Sequence, residues 1–445
     1  MSLTLDSIRN CLEGAIPSCV ATCDADGMPN VTYASQVHYV DHSHVALSFQ
    51  FFNKTRENIL VNPRVTSIVV DPATGGQYQL SLQYLRTETS GPVFESMKAK
   101  LAGIASHTGM AGVFKLRGSD IYRVLRITEI PSRTAPLKRP ARNLLSAVRS
   151  CAQRLNGSTD LASLLDTTLA SLEAFFEVRH SMILMLDCGG KRLYTVGSRG
   201  YRQSGVGSEI AIGCGVIGVS AEQQVPIRIS HMTAEYSYSR AMRDSAEREG
   251  LMGKLETAIP FPGLQECRSQ MAVPIVGAGR FLGILYVESS EDLRFSYDDE
   301  DALVAIASQL GTAIHSLQQS SESNEPAPPA PTSPTVVSGP SSVVRHYPAD
   351  DSVFIDDDYL IKGVAGAILC KLLRDYARDK RTDFSNRELR LDPTLGLPDI
   401  TDNLEARLIL LERRLAERRA PHRIEKTGRG RFRLRIERPF TLVEM

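Results

Sequence analysis

The chain has 445 residues, enough for about three domains at roughly 150 residues each. With 42% hydrophobic and 23% charged residues, the composition is that of a folded globular protein and excludes fibrous and largely disordered classes. Lys+Arg and Asp+Glu both number 51, so the whole-chain charge provides no general attraction to nucleic acid or to membranes.

Neither membrane insertion nor secretion is indicated. No apolar run approaches the roughly 20 residues that span a bilayer, and the first residues carry Asp6 and Glu13 without the apolar core of a signal peptide. The eight cysteines are scattered without a CxxC pair, so a disulfide framework is not expected. We expect a soluble cytoplasmic protein.

Proline-rich segments divide the chain. Six prolines lie between Pro326 and Pro340, within a stretch typical of an extended, solvated spacer. A second boundary falls at 131–140, where prolines alternate with basic residues. The predicted organisation is a first domain at 1–135, a second at 141–319, a linker at 320–345 and a third at 346–445. A spacer of this length predicts modules that need not pack together.

The first block is rich in short strands. Asp24-Ala25-Asp26-Gly27 predicts a tight hairpin between two of them. HVALSFQFF predicts a further strand, NKTRENILVNP a short helix, VTSIVV a buried strand and QYQLSLQYL a half-exposed one. Antiparallel strands with one short helix in this order predict a small barrel.

The stretch from Ser48 to Val70, SFQFFNKTRENILVNPRVTSIVV, resembles the strand, turn, helix and strand of the pyridoxamine-phosphate-oxidase-like split barrels. Members of that family mostly bind FMN as dimers. The resemblance implies a homodimer that binds FMN, with the flavin phosphate on the turn and the ring and ribityl chain near the adjacent strands. The residues that it implies for the cofactor are Thr32, Ser35, Ser48, Asn53, Lys54, Thr55 and Gln79.

Physical chemistry agrees with a phosphate site at this turn, because a cation and a hydroxyl stand at a helix N-terminus whose N–H groups are unpaired. The chain departs from the family where an Arg-Lys pair is usual, since it has Lys54-Thr55 with Arg56 displaced by one. It also has no tryptophan, so pyridoxamine-phosphate oxidation is not expected. Two alternatives stay open: Lys54 and Arg56 are a solvated helix start, or the barrel holds a deazaflavin, haem or nothing.

The second block begins and ends with amphipathic helices, at 141–158 and 297–319. Between them SMILMLD and KRLYTVG predict strands, and Gly277-Ala278-Gly279 joins two apolar strands in a hairpin. The block resembles a GAF domain in Gly197–Gly200, Gly213–Gly218, Met271–Ile275, Gly283–Glu288 and Phe295–Glu300. The resemblance implies an α/β sensor module with a central antiparallel sheet that binds a small molecule. It also implies dimerisation through the apolar stripe of 297–319.

Several ligands are conceivable for this second block. Phe295–Glu300 matches part of a cyclic-nucleotide signature, but Phe-x-x-x-Asp-Glu is also common where acids start a helix. Cys214, His231 and Cys267 are conceivable haem, iron or redox ligands, although no spacing supports this and buried cysteine commonly serves as apolar filler. No metal site is therefore predicted. Residues 231–254 predict a helical lid over the pocket.

The third block predicts three helices followed by a hairpin. GVAGAILCKLLRDYARD is a helix, Ser385 with Glu388 is a capping box, NLEARLILLERRLAERRA is a longer helix, and Thr427–Gly430 turns a hairpin. This order is that of a winged helix, and the block resembles the winged-helix output domains of response-regulator type. From Thr401 to Arg438 there are twelve Lys+Arg and six Asp+Glu, a charge footprint expected for phosphate contacts. The predicted DNA-binding residues are Arg407, Arg413, Arg414, Arg429 and Arg431.

The fold class predicted for the whole chain is therefore multi-domain, with an antiparallel β split barrel, an α/β GAF domain and a winged helix-turn-helix domain. We expect a sensor that regulates transcription, in which the first two modules capture a small molecule or a redox state and the third engages DNA. Two alternatives remain for the whole chain: an FMN-dependent oxidoreductase with a regulatory GAF domain, and a pure interaction scaffold with vestigial pockets. For the third block alone, a winged helix that docks proteins is the alternative to DNA binding. No catalytic residue is predicted.

Overall fold

The structure is a computed structural model. The residues that it describes are 3–12, 16–34, 37–49, 54–72, 74–107, 116–131, 143–187, 189–229, 259–323, 340–395, 404–428 and 430–445. The predicted lid at 231–254 lies outside them, as does most of the predicted linker. Within these ranges, no helix is both long enough and apolar enough to cross a bilayer.

The N-terminal module is a seven-stranded antiparallel sheet in the order β2-β1-β5-β6-β7-β4-β3. Its strands are β1 (Ser18–Cys23), β2 (Pro29–Ala34), β3 (Val37–Asp41), β4 (His44–Phe49), β5 (Arg64–Val70), β6 (Gln77–Glu88) and β7 (Gly118–Ile130). Two helices accompany it, α1 (Lys54–Val61) and α2 (Pro92–His107). The predicted antiparallel β domain is confirmed, and β3, β7 and α2 are present in addition.

The sheet encloses one apolar core. Val20, Leu80 and Tyr122 lie in it, and the 3₁₀ turn Asp6–Leu12 adds Leu12. The predicted hairpin joins β1 to β2, where the Asp24 carboxylate accepts hydrogen bonds from the N–H groups of residues 26 and 28. The turn therefore keeps β1 and β2 paired beside α1.

The middle module is a six-stranded antiparallel sheet in the order β10-β9-β8-β13-β12-β11. Its strands are β8 (His180–Leu186), β9 (Arg192–Arg199), β10 (Glu209–Ala211), β11 (Ile227–Ile229), β12 (Ser269–Gly277) and β13 (Arg280–Ser289). Its helices are α3 (Leu144–Leu155), α4 (Leu161–Phe176), α5 (Gly215–Gln223) and α6 (Tyr297–Ser323). The flanking helices and the hairpin at 277–279 are confirmed, whereas α4 and α5 were not predicted.

The apolar stripe of α6 serves this module itself. Leu303, Ile306, Leu310 and Ile314 are buried in the core beneath the sheet. A Cβ at Gly311 would stand 2.1 Å from the carbonyl oxygen of Val276, so the helix lies directly on β12. The prediction that this stripe forms a dimer interface is wrong, because its side chains already have partners within the chain. The helix also runs to Ser323, past the predicted linker start.

In the residues that the structure describes, the third module contains two sheets, three α-helices and the 3₁₀ turn Pro393–Leu395. One sheet has the order β16-β15-β14-β20 and the other β17-β19-β18. Its strands are β14 (Ser342–Tyr347), β15 (Ser352–Ile355), β16 (Asp358–Ile361), β17 (Asp383–Ser385), β18 (His422–Gly428), β19 (Arg431–Ile436) and β20 (Phe440–Glu444). Its helices are α7 (Gly363–Asp379), α8 (Asn386–Leu391) and α9 (Leu404–Glu417). Ser385 caps α8 through the N–H of Glu388, as predicted. The sheet containing β14 and β20, which pair in parallel, was not predicted.

The middle and third modules share one continuous apolar core. Tyr194 and Val196 of β9 belong to the same cluster as Leu410 and Leu411 of α9. The prediction that modules joined by a proline-rich spacer need not pack together is wrong for this pair. Sequence composition describes the spacer, whereas the surfaces on either side of it decide whether the modules associate.

Candidate cofactor and output sites

The predicted phosphate site lies at the N-terminus of α1. The Lys54 ammonium is half-exposed, with 52% of the side chain accessible, and it stands 3.5 Å from the Asp24 carboxylate and 3.9 Å from Glu57. The Thr55 hydroxyl accepts a hydrogen bond of 2.8 Å from the Asn30 amide. The first-turn N–H groups lack intrahelical acceptors and can receive an anion. Asn53 lies outside the described residues.

Arg56 is not part of a solvated helix start. Its Nη1 lies 2.6 Å from the Asp120 carboxylate and 2.7 Å from the Thr87 hydroxyl, and its guanidinium lies 4.9 Å from the centre of the Phe49 ring. Burial raises the pKa of Asp120, while Thr87 and Arg56 favour its charged form. The alternative that Arg56 is solvated is wrong, because a buried carboxylate holds it inside the barrel.

The strand residues predicted to contact the flavin lie on two faces of the sheet. Residues opposite one another on paired strands share a face, and the interior face contains the row Thr32, Val20, Ser67 and Leu80. The neighbouring row faces outward and contains Tyr33, Cys19, Ile68 and Gln79. Thr32 and Gln79 therefore do not converge within one chain.

Ser48 is also on the outer side. It pairs with Ser119, two residues along from the Ala46–Ile121 pair, which packs on Met97 of α2. The Ser48 and Ser119 hydroxyls are buried and have no hydrogen-bond partner within the described part of the chain. Ser35 lies outside it.

The residues at α1 fit the phosphate end of a flavin nucleotide, because Lys54 is accessible and the first-turn N–H groups are available. Arg56 does not contribute, since Asp120 and Thr87 already engage it. Asp24 and Glu57 beside Lys54 reduce the positive charge that an incoming phosphate meets. A flavin phosphate at this site would thus contact one cation, Lys54, and the N–H groups at the start of α1.

A stack of guanidinium and tyrosine groups joins the barrel to the middle module. Arg9 lies between Tyr39 and Tyr297, 4.6 and 4.4 Å from the ring centres. The Arg228 guanidinium lies 4.3 Å from the centre of the Tyr297 ring, and its Nε donates a hydrogen bond of 2.8 Å to the Glu300 carboxylate. The Tyr297 hydroxyl donates to the Leu12 carbonyl at 2.9 Å. We call Tyr39, Arg9, Tyr297 and Arg228 the guanidinium–tyrosine stack.

Side chains of the Phe295–Glu300 segment form contacts within the chain. Phe295 is buried, Asp299 accepts hydrogen bonds from the N–H and hydroxyl of Ser296, and Glu300 binds Arg228. These contacts fix the start of α6, in agreement with the helix-start interpretation of this segment.

The residues considered as redox or metal ligands in the middle module, and not predicted to be such, are not brought together in the part of the chain that the structure describes. Cys214 is exposed, and the buried Cys267 donates to the carbonyl of Ser269 at 3.5 Å. His231 lies outside the described residues. Within the ranges that the structure describes, no three His, Cys, Asp or Glu side chains are placed to hold a metal ion.

Polar side chains lie on the sheet face that carries α5. The Tyr286 hydroxyl donates to Gln270 at 2.6 Å, and Glu288 accepts from the N–H of Leu264 at 2.9 Å. All three side chains are buried. They place hydrogen-bonding groups within the otherwise apolar layer between the sheet and α5.

Among the described residues, four ion pairs connect the middle and third modules. Asp187 binds Arg407 at 2.5 Å, Asp166 binds Arg413 at 2.7 Å, Glu209 binds Lys362 at 3.2 Å, and Asp160 lies 3.7 Å from Lys426. Arg407 also covers the Tyr194 ring at 4.3 Å, and Arg413 donates to the Val196 carbonyl at 2.8 Å. We call these contacts the acid–base interface.

Three of the predicted DNA-binding residues therefore face protein. Arg407 is 5% exposed and Arg414 is 3% exposed. Arg414 binds Glu417 and the Leu360 carbonyl within its own module, and burial lowers its pKa. In this arrangement Arg407, Arg413 and Arg414 cannot reach DNA. Arg431 begins β19 at the hairpin, and Arg429 lies outside the described residues.

The acidic partners Asp166 and Asp187 were missed at the sequence level. Nothing in their local sequence distinguishes them from ordinary surface acids, because the contact depends on residues more than 200 positions away. Asp120 was missed for the same reason. A charged residue directly before Ile121 and Tyr122 at the start of a strand is the one signal that could have indicated burial with a partner.

Two family models match the chain. Residues 4–127 match pyridoxamine 5'-phosphate oxidase and residues 160–314 match the GAF domain. The chain carries these two domains, in this order. A comparison with curated proteins finds no match.

Several solved structures are similar to parts of this chain. Group A Streptococcus HupZ is 24% identical, covering 28% of this chain and 94% of its own, with a TM-score of 0.23. An FMN-binding protein from Syntrophomonas wolfei is 15% identical, covering 28% and 88%, with a TM-score of 0.23. Free methionine-R-sulfoxide reductase from Neisseria meningitidis is 18% identical, covering 41% and 98%, with a TM-score of 0.32.

Proposed function

We propose that this protein is a sensor that regulates transcription, with a flavin-binding barrel, a ligand-binding GAF domain and a DNA-binding third module. One observation carries the proposal: the GAF domain contacts the barrel through the guanidinium–tyrosine stack and the third module through the acid–base interface. A ligand that binds two arrangements of the GAF domain with different affinity shifts the population between them. The central position of this domain allows such a shift to reach both neighbours.

The order of elements supports a winged-helix assignment for the third module. A helix, a short strand, two helices and a hairpin follow one another as α7, β17, α8, α9 and β18–β19. In this class of fold the last helix before the hairpin enters the major groove and the hairpin contacts the backbone. The excess of basic residues between Thr401 and Arg438 supports contacts with phosphate.

For the barrel, we propose that FMN is held at its phosphate end by Lys54, Thr55 and the first-turn N–H groups of α1. The match of residues 4–127 to the oxidase family supports this assignment. FMN, when bound, supplies a redox-active ring. The protein's own contribution at this point is to orient the phosphate through the helix terminus and to keep Arg56 and Asp120 paired beneath it.

The proposed homodimer uses the outer face of the barrel sheet. Val31 and Tyr33 are exposed there, beside half-buried Cys19 and Ile68 on the neighbouring strands. A second copy covering this face would bury these side chains and bring Gln79 into the interface. This arrangement replaces the α6 stripe as the proposed dimer contact.

Absorbance and mass spectrometry of the purified protein test the flavin assignment. We expect flavin bands and a noncovalent FMN mass in the wild type, and loss of both in the Lys54→Ala/Thr55→Ala variant. Lys98→Ala is the matched control, because Lys98 is likewise half-exposed and paired with a helix acid, Glu95. Flavin retained at full stoichiometry in the double variant would refute the phosphate site.

Fluorescence anisotropy with labelled DNA from upstream of the gene for this protein tests whether the third module binds DNA. We expect binding whose affinity falls steeply as salt rises, because phosphate contacts release counterions. The Arg429→Ala/Arg431→Ala variant should weaken that binding. Steady turnover of NAD(P)H without any affinity for DNA would instead support the oxidoreductase.

A further inference from the structure

We infer that the GAF face formed by Asp160, Asp166, Asp187 and Glu209 is a docking surface that takes the place of nucleic-acid phosphates on the third module. The docked arrangement and the polyanion-bound arrangement then exclude each other. This inference rests on the proposed DNA-binding function and adds its regulation: the GAF domain holds the output module by competing for its cations.

The four ion pairs across this interface share one polarity, although the third module also places carboxylates there: Glu405 accepts a hydrogen bond from the Leu161 N–H and Glu417 accepts one from Ser204. All four carboxylates of these pairs belong to the GAF domain, and all four cations, Lys362, Arg407, Arg413 and Lys426, belong to the third module. Carboxylate and phosphate oxygens accept the same charge-assisted hydrogen bonds from guanidinium groups, so the cations that meet the GAF carboxylates are ones that can also bind phosphates.

Most residues of α9 are buried between the GAF domain and the rest of the third module. An amphipathic surface helix buries one stripe and exposes the other. In α9 the residues Leu404, Ala406, Arg407, Leu408, Ile409, Leu410, Leu411, Arg414 and Leu415 are all buried. Arg407 and Arg413 reach the GAF domain, and Arg414 reaches β16 of its own module, so the helix lies between the two. A nucleic acid can approach α9 only after the GAF domain has moved away.

The interface also has properties of a reversible contact. Asp166 is 67% exposed and Lys426 is half-exposed, so water and salt reach these pairs. Solvated pairs contribute little individually and weaken as ionic strength rises. The Ser204 hydroxyl adds a hydrogen bond of 2.8 Å to Glu417 at the end of α9. A polyanion that offers several phosphates at once is thus able to compete with four separate carboxylates.

The experiment compares the full-length wild type with Asp166→Lys/Asp187→Lys. Hydrogen exchange followed by mass spectrometry reports the protection of α9 and of β9, and anisotropy with a random-sequence DNA duplex reports polyanion binding. We expect faster exchange in both elements and an affinity for DNA raised about tenfold, a change typical of a coupling between two sites. Adding the duplex to the wild type should release β9 in the same way.

Glu173→Lys is the matched control, because Glu173 also lies on α4 but pairs with Arg199 inside the GAF domain. It should change neither measurement. A second variant, Asp187→Arg/Arg407→Asp, exchanges the two charges of this pair. Because the pair can still form, exchange in α9 should be as slow in this variant as in the wild type. Unchanged exchange in α9 of Asp166→Lys/Asp187→Lys would overturn the inference. Release of α9 without any gain in DNA binding would support the docking surface and contradict the DNA-binding function.

Discussion

The GAF domain meets its two neighbours through surfaces of different chemistry. Towards the barrel, arginines alternate with tyrosine rings, helix α2 of the barrel packs on α5 and β11, and the ion pair of Arg9 with Asp301 is open to solvent. Towards the third module, carboxylates meet cations above a shared apolar core. Exposed ion pairs are screened by salt, so salt should first weaken the pairs of Asp166 and Lys426. The buried Arg407 guanidinium and the apolar core beneath it are protected from water, so release of the third module also has to expose apolar surface.

The largest expected effect is at the buried end of the acid–base interface. Asp187→Ala leaves the Arg407 guanidinium buried without its carboxylate, which should lower the free energy of unfolding by about 4 kcal/mol. Arg407→Met should cost about half as much, because Asp187 is 33% exposed and regains water. Urea unfolding of both variants measures the difference. Arg423→Ala, which removes an exposed pair with Glu437, is the control. Equal costs for Asp187→Ala and Arg407→Met would contradict the asymmetry in burial.

Acid should destabilise the third module through His422. This side chain is fully buried beside the Phe440 ring, and burial lowers its pKa from 6.5 to about 4. Between these values the unfolded chain binds a proton that the folded chain rejects, so stability is lost as pH falls from 6.5 towards 4 and is unaffected above 6.5. The loss should reach about 3 kcal/mol at the lower limit.

His422→Phe isolates this effect. The variant keeps an aromatic ring in the site and removes the titrating group. Its stability should therefore fall less than that of the wild type as pH falls from 6.5 towards 4. Thermal unfolding in a series of buffers measures the difference between the two proteins. Parallel curves would show that His422 is not the group responsible.

The smallest expected effect is at the barrel contact. Arg9→Ala removes one layer of the guanidinium–tyrosine stack and should reduce stability by about 1 kcal/mol, the amount typical of partly exposed cation–π contacts. Raising the salt concentration should leave this cost nearly unchanged. Arg268→Ala, which breaks an exposed pair with Asp292, is the control. A cost for Arg9→Ala that vanishes at high salt would mean that the Asp301 pair, and not the stack, carries the contact.

Local patterns predicted much of the fold. The hairpins at Asp24–Gly27 and at residues 277–279, the cap at Ser385 and the two GAF flanking helices all depend on residues close in sequence. The pairing of β14 with β20 does not, because it joins residues nearly a hundred positions apart. No short-range pattern contains that information, so the sheet built on β14 was missed.

The candidate sites show the same limit more sharply. The sequence located the cations at α1 and α9 but not the groups that face them. Arg56 pairs with Asp120, and Arg407 pairs with Asp187, each through a contact that the fold creates. An arginine has the same appearance in sequence whether its partner is a phosphate or a carboxylate. The type of residue was predictable, whereas the identity of its partner required the structure.

The most direct test of the account uses the absence of tryptophan from the chain. Tyr194→Trp would place a single tryptophan in β9, under the Arg407 guanidinium that covers the native ring at 4.3 Å. The account predicts blue-shifted emission that acrylamide quenches weakly, changing to red-shifted and readily quenched emission when Asp166→Lys/Asp187→Lys is added. Emission that is already red-shifted and fully quenched in the otherwise unchanged protein would contradict the docking of α9 on the GAF domain.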